Sequence, residues 1–202
     1  LPGAQKRLRL SLRFLADIGI IGLPNTGKST LISRLTDVRS KIDKYPFTTL
    51  NPNLGVIRYE DGTSLTMADI PGLIEGASAG RGLGHRFLKH VERTKLLLHL
   101  LDATYEPQED MLDDFSVVRK ELETYNPLLG EKEQMVLINK IDIHGENHRD
   151  LNKLIGRLRE IGLEAYPISA LTGEGLEDLK AMLKAHFSAA EGEREWAHGK
   201  RF

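Results

Sequence analysis

The chain contains no cysteine. That excludes a disulfide framework, a thiol nucleophile and a thiolate metal site, and it fits a reducing compartment. It has no excess of charge either: 28 Lys and Arg stand against 29 Asp and Glu, a formal net charge of −1. Overall charge therefore gives no reason for wrapping nucleic acid or lying on anionic lipid. No apolar run approaches the roughly 20 residues that span a bilayer. The basic N-terminus, LPGAQKRLRLSLRFLAD, has its apolar part broken by Arg and Ser, so it lacks the form of a signal peptide. Repeats and low-complexity tracts are missing as well. The chain opens with Leu1 rather than Met, as expected of a fragment or a processed product. What is present is 202 residues, enough for one domain with a substantial core. The expectation is a cytoplasmic monomer with no membrane attachment.

Leu8 to Leu15 alternates Leu or Phe with Arg or Ser, the period of a strand with one wet face. Short apolar runs follow at Asp17–Gly22, Leu96–Asp102, Met135–Asn139 and Ala165–Ser169. Between and after them the spacing predicts helices at Lys28–Leu35, His85–Thr94, Met111–Tyr125, Arg149–Ile161 and Leu176–Phe187. LGVIRYEDGTSLTMADI reads as a hairpin around Asp61-Gly62. Strands that are apolar throughout, alternating with helices, predict an α/β fold: a mostly parallel sheet with helices on both faces and one antiparallel edge strand. Three parts are expected: residues 1–15 as an exit strand or linker, 16–188 as the nucleotide-binding domain, and 189–202 as a tail without periodicity. In such sheets ligands bind outside the carboxyl ends of the strands.

GLPNTGKST, Gly22 to Thr30, follows the first buried run and matches G-x-x-x-x-G-K-S/T. Backbone N–H groups must converge on phosphate oxygens here, so the loop needs glycines where a Cβ would block the approach. The helix that follows points its positive end at the anion. Lys28 would neutralise the β- and γ-phosphates, and the Ser29 hydroxyl would ligate Mg²⁺.

The base is read from NKID, Asn139 to Asp142. Guanine presents two donors on one edge, and one carboxylate, Asp142, can accept both. Adenine lacks those donors and would leave the carboxylate unmatched, which argues against an ATP-dependent P-loop kinase. Asn139 would tie the base to the loop, the Lys140 stem would cover the ring, and ISAL would offer the Ala170 N–H to the guanine O6. Two further segments fit γ-phosphate sensing. In DIPG, Asp69 lies near Mg²⁺ through a water and Gly72 offers its N–H; in YPFTTL a threonine joins the Mg²⁺ shell.

With these motifs in order, the chain resembles the Obg family of GTPases. The resemblance rests on GLPNTGKST, YPFTTLNPNLGVIR, ADIPGLIEGASAGRGLGHRFLKHVERT, NKID and ISAL, and runs from about Leu8 to about Phe187. It implies a Ras-like P-loop fold that binds GTP and GDP and hydrolyses GTP slowly with Mg²⁺. It also implies a role in assembling the large ribosomal subunit and in growth control. The implied nucleotide contacts in the phosphate loop are Gly22, Leu23, Pro24, Asn25, Thr26, Gly27, Lys28 and Ser29. The switch contacts are Phe47, Thr48, Thr49, Leu50 and Asn51, then Asp69, Ile70, Pro71 and Gly72. The base contacts are Asn139, Lys140, Ile141 and Asp142, with Ser169, Ala170 and Leu171. Ser29 and Thr49 are the implied metal ligands. The family carries a glycine-rich N-terminal domain that reaches ribosomal RNA; this chain does not include it, and LPGAQKRLRLSLRFL looks like the exit from it.

One position departs from the Ras pattern. A glutamine directly after the DxxG glycine orients the attacking water in Ras-type enzymes; Leu73 stands there and can hold no water. Members of the resembled family are grouped with GTPases that replace this glutamine by an apolar residue. Catalysis is then expected from Lys28, Thr49 and Gly72, with Asn25 either holding a K⁺ ion beside the phosphates or only shaping the loop. Arg81 is a further candidate, as a finger supplied in cis. His85, His90 and His99 lack metal spacing, and His90 and His99 are expected to be structural. The alternative to a GTPase is a module that senses GTP against GDP without turnover.

Overall fold

In the computed structural model, which describes residues 16–36, 54–70, 91–104, 109–143 and 148–198, the longest strand is Leu96–Asp102, with all seven residues buried. A strand hidden on both faces needs cover on both, and that requirement organises the rest. The strands are β1 (Ile18–Gly22), β2 (Leu54–Arg58), β3 (Ser64–Asp69), β4 (Leu96–Asp102), β5 (Gln134–Asn139) and β6 (Ala165–Pro167). They form one sheet in the order β2-β3-β1-β4-β5-β6. All neighbours run parallel except β2 and β3, the predicted hairpin, so β2 is the antiparallel edge.

The described helices are α1 (Lys28–Leu35), α2 (Glu109–Tyr125), α3 (Pro127–Gly130), α4 (His148–Glu160) and α5 (Leu176–His198). Alternate residues of β4 separate the two faces. Leu96, Leu98 and Leu100 pack with Leu31 and Leu35 of α1 and with Leu179 and Leu183 of α5. On the other face Leu97 meets Val118 and Leu122 of α2, and Leu101 lies with Leu151, Leu154 and Leu158 of α4. Helices on both faces of a mostly parallel sheet are the predicted Ras-like P-loop architecture.

The expected end of the last helix at Phe187 is too early, since α5 continues to His198. Phe187 is the last residue of α5 in the core. Beyond it the chain is rich in Ala, Glu and Arg, which favour helix without any apolar stripe to betray it. The short α3 was not expected. Its start is nonetheless written in the sequence: the Asn126 side chain accepts from the Leu128 N–H at 3.1 Å, and Pro127 fills the first turn. The strand expected at Leu8–Leu15 lies outside the described residues, as does all but the end of the helix expected at His85–Thr94.

His99 is fully buried in β4 and stacks on Phe115 of α2 with ring centroids 4.8 Å apart. It is a core residue, as its position in an apolar strand implied. Burial disfavours its charged form and holds its pKa down to about 3, below the ordinary histidine value of 6.5. The unfolded chain therefore takes up this proton first, and the folded state loses stability as pH falls below 6.5 toward 3. In His99→Leu the urea midpoint should fall less between about pH 7 and about pH 5 than it does in the unsubstituted protein. Equal falls in the two proteins would refute this.

Candidate nucleotide site

Because β1, β3, β4, β5 and β6 are parallel, their carboxyl ends open on one side of the sheet. The ends of those strands and the segments that leave them carry every described residue expected to contact nucleotide or metal.

The phosphate loop leaves β1 at Gly22. Gly22 has φ +143°, and a Cβ there would lie 2.5 Å from the Leu100 carbonyl oxygen. Gly27, with φ +98°, closes the loop; its Cβ would meet Asn139 Nδ2 at 2.3 Å. Both glycines are thus required by close backbone approach as well as by backbone angle. Within the loop the Thr26 hydroxyl donates to the Leu23 carbonyl at 3.0 Å. Lys28 Nζ donates to the carbonyls of Gly22 at 3.0 Å and Leu23 at 2.8 Å. Burial lowers the Lys28 pKa, and the charge of Asp69 opposes that shift. Pro24 and Asn25 form the exposed rim. Asn25 has φ +64°, which Asn tolerates better than most residues. No hydrogen bond joins its side chain to another described residue.

Ser29 lies in the first turn of α1, and its hydroxyl donates to Asp69 Oδ2 at 3.0 Å. Asp69 ends β3 and is buried, yet its Oδ1 has no hydrogen-bond partner among the described residues. A buried carboxylate oxygen left unmatched is costly, and a dication is the partner its charge demands. The donor set, a hydroxyl beside a carboxylate, is all hard oxygen, so the residues present fit Mg²⁺. Ile70, next in the chain, is buried and donates its N–H to the Ile20 carbonyl at 3.1 Å, extending the β3 register toward β1. Phe47, Thr48, Thr49, Leu50, Asn51, Pro71, Gly72 and Leu73 lie outside the described residues, as do Arg81, His85 and His90.

Asn139 joins the two halves of the site. It ends β5 at 2% exposure, donates from Nδ2 to the Thr26 carbonyl at 2.7 Å, and accepts at Oδ1 from the Ala170 N–H at 2.9 Å. Asn139 ties the phosphate loop to the loop after β6, and the Ala170 N–H is already bonded to it, so that amide reaches a base oxygen only by sharing or exchanging the bond. The reason is geometric: β5 lies beside β6 and one strand removed from β1, so its last side chain reaches the loop after β6 on one side and, past the end of β4, the phosphate loop on the other.

Asp142 sits on the 3-10 turn Ile141–Ile143 and is exposed. The buried Ser169 hydroxyl donates to its Oδ1 and accepts from the Thr172 N–H at 3.0 Å, which fixes the carboxylate at the rim. Ile141 is half-buried and its N–H reaches the Ile168 carbonyl at 3.4 Å, while Leu171 is 70% exposed beside the opening. Lys140 has φ +70°, and its ammonium bonds to Asp102 at the end of β4. Sequence reading missed Asp102 and Thr104, whose N–H and hydroxyl donate to Asp102 Oδ1 at 2.9 and 2.7 Å. The signal available was an Asp closing an apolar run at the carboxyl end of a strand. Burial works against the charged form of Asp102, yet hydrogen bonds from Lys140 and Thr104 keep its pKa below the ordinary carboxylate value.

These features define a P-loop nucleotide-binding domain. The family model described as 50S ribosome-binding GTPase matches residues 17–140. GTPase Obg of Alkaliphilus metalliredigens is 51% identical over 177 residues, covering 88% of this chain and 41% of the relative. GTPase Obg of Myxococcus xanthus is 52% identical over 178 residues, covering 88% of this chain and 36% of the relative. A point variant of Aquifex aeolicus Era, solved with GDP and AlF₄⁻, aligns with a TM-score of 0.61 at 28% identity. That alignment covers 84% of this chain and 56% of Era. The chain thus belongs to the 50S ribosome-binding GTPase family and, within it, to the Obg GTPases. It spans less than half the length of the two Obg relatives.

Removing the Asn139 carboxamide strands a buried carbonyl and a buried N–H. Asn139→Ala should lower unfolding stability without nucleotide by about 2 kcal/mol or more, at roughly 1–3 kcal/mol for each orphaned group. Urea denaturation measures it; a loss below about 0.5 kcal/mol would show that the bridge is not formed.

Proposed function

We propose that this chain is the GTP-binding domain, residues 16–188, of a cytoplasmic protein that binds GTP and GDP, hydrolyses GTP slowly with Mg²⁺, and works in assembly of the large ribosomal subunit. The observation that carries the reading is the Asn139 bridge, which locks a phosphate-loop carbonyl and a base-loop amide into one body. A site held so ties recognition of the two ends of one nucleotide together. Membership of the 50S ribosome-binding family supports the ribosomal part. Among the described residues no helix is long and apolar enough to cross a membrane.

The roles follow from chemistry. The loop amides and Lys28 bind the phosphates. Asp142, oriented by Ser169, accepts both guanine donors. Ser29, with Thr49, would ligate Mg²⁺, and Asp69 would hold its water shell; the ion, when bound, neutralises phosphate charge. Gly72 would offer its N–H to the γ-phosphate. Asp142→Ala should weaken GDP binding at least 100-fold in calorimetry, since a carboxylate matched to two donors is worth a few kcal/mol. Binding within about threefold of the unsubstituted chain would remove the guanine assignment.

Leu73 cannot orient water, and loss of one positioned polar group commonly slows a reaction about 10²–10⁴-fold. K⁺ held by Asn25 and by switch carbonyls would supply the missing stabilisation of transition-state charge. The exposed Asn25 side chain, without a partner among the described residues, supports that role. GTP turnover should therefore be faster in KCl than in NaCl at equal ionic strength, and the difference should vanish in Asn25→Ala. Equal rates in the two salts defeat the cation. The reading of a sensor without turnover rests on Leu73 alone, and it gains if no phosphate is released even with K⁺ and large ribosomal subunits present.

A further inference from the structure

Asp102 stands outside every role given so far, yet its carboxylate is 8% exposed at the mouth of the site. Both oxygens are occupied by the chain itself. Oδ2 takes the Lys140 ammonium, and Oδ1 takes the N–H and the hydroxyl of Thr104. The sheet prepares this meeting: Asp102 and Asn139 are register partners on β4 and β5, and the Ala103 N–H donates to the Asn139 carbonyl at 2.8 Å. Lys140, one residue on, is held at φ +70°, a backbone angle that costs a lysine energy and persists only where surroundings enforce it.

The Lys140 side chain is therefore anchored at both ends, by a strained backbone inside NKID and by a buried anion at its tip. A free lysine here would keep its ammonium in water and let its stem swing. Anchored, the stem is an apolar wall of fixed position, and its charge is cancelled within the protein instead of facing a base. The donors on a guanine edge carry partial positive charge, so an unneutralised ammonium beside them would repel what Asp142 attracts.

We propose that Asp102 is a positioning residue for nucleotide retention: it tethers and neutralises Lys140 so that the lysine stem serves as the fixed wall of the base site, with Thr104 fixing Asp102 in turn. The proposal rests on the guanine site described above and adds a residue on which that site's residence time depends. The competing account is an ion pair that only supports the fold.

The two accounts separate in a double-mutant cycle on the full chain, read by the dissociation rate of GDP. Asp102→Asn keeps the size and the bonds from Thr104 but loses the charge. It should speed GDP release about tenfold, within the range for directly coupled neighbours. In a Lys140→Met background, which keeps a flexible apolar stem without the ammonium, the same change should alter release by less than about twofold. Thr104→Val, which leaves the ion pair intact, should speed release about threefold and provides the test should Asp102→Asn fail to fold. Unchanged release in Asp102→Asn, which an ion pair that only supports the fold predicts, overturns the proposal, and so does an equal effect in both backgrounds, which would mean that Asp102 acts without Lys140. If Asp102→Asn does not fold, unchanged release in Thr104→Val overturns it. Failure of the unsubstituted chain to bind GDP removes the guanine site itself, whereas normal binding with a silent Asp102→Asn removes only this inference.

Discussion

One buried carboxamide holds the site together. Asn139 bonds the Thr26 carbonyl on one side and the Ala170 N–H on the other, in a setting where neither group can turn to water instead. A buried donor or acceptor without a partner costs more than a made bond gains. The bridge therefore acts as a constraint: the phosphate loop and the loop after β6 move together or not at all. Gly27 belongs to the same constraint, because a side chain there would occupy the space of Asn139 Nδ2. A glycine of the phosphate motif and an asparagine more than a hundred residues later are in this sense one packing unit.

The sheet makes such a unit possible. With β1 central and β3, β4, β5 and β6 parallel to it, residues far apart in sequence come out at one rim. Gly22, Asp69, Asp102 and Asn139 each end a strand. Side chains link neighbours at such a rim: Ser29 to Asp69, Lys140 to Asp102, Ser169 to Asp142. The apolar interior contributes no chemistry of its own. It supplies stiffness, so that side chains at the ends of strands meet at fixed distances.

Much of this was legible beforehand. The limits of α1 and β4 follow from the sequence because buried runs and motif glycines leave little choice. The phosphate loop, NKID and ISAL fell in the predicted order after successive strands. What could not be read was lateral. Periodicity says that Asp102 ends a strand but not that β5 lies beside it, so the pair with Lys140 was invisible. The same gap hid the bond between the Ala170 N–H and Asn139, which joins two loops that only the fold brings together. The extension of α5 was missed for another reason. It rests on helix propensity beyond the last core residue, and a search for apolar stripes cannot detect it.

The phosphate loop also shows how the chain is arranged to receive an anion. Three of its carbonyls are bonded inside the protein: Gly22 and Leu23 on Lys28, Leu23 also on Thr26, and Thr26 on Asn139. Planar peptides point the N–H opposite to the C=O. Drawing the carbonyls toward the protein therefore directs the amides that follow them toward the concave side, where an anion is received. Nothing in that arrangement distinguishes ground state from transition state, and uniform binding does not speed a reaction. The distinction has to come from a group that engages only as charge shifts toward the leaving oxygen. Leu73, lacking any polar atom, cannot be that group. If the proposed cation is held at the exposed Asn25 side chain on the loop's rim, affinity and rate would rest on different atoms and could be altered separately.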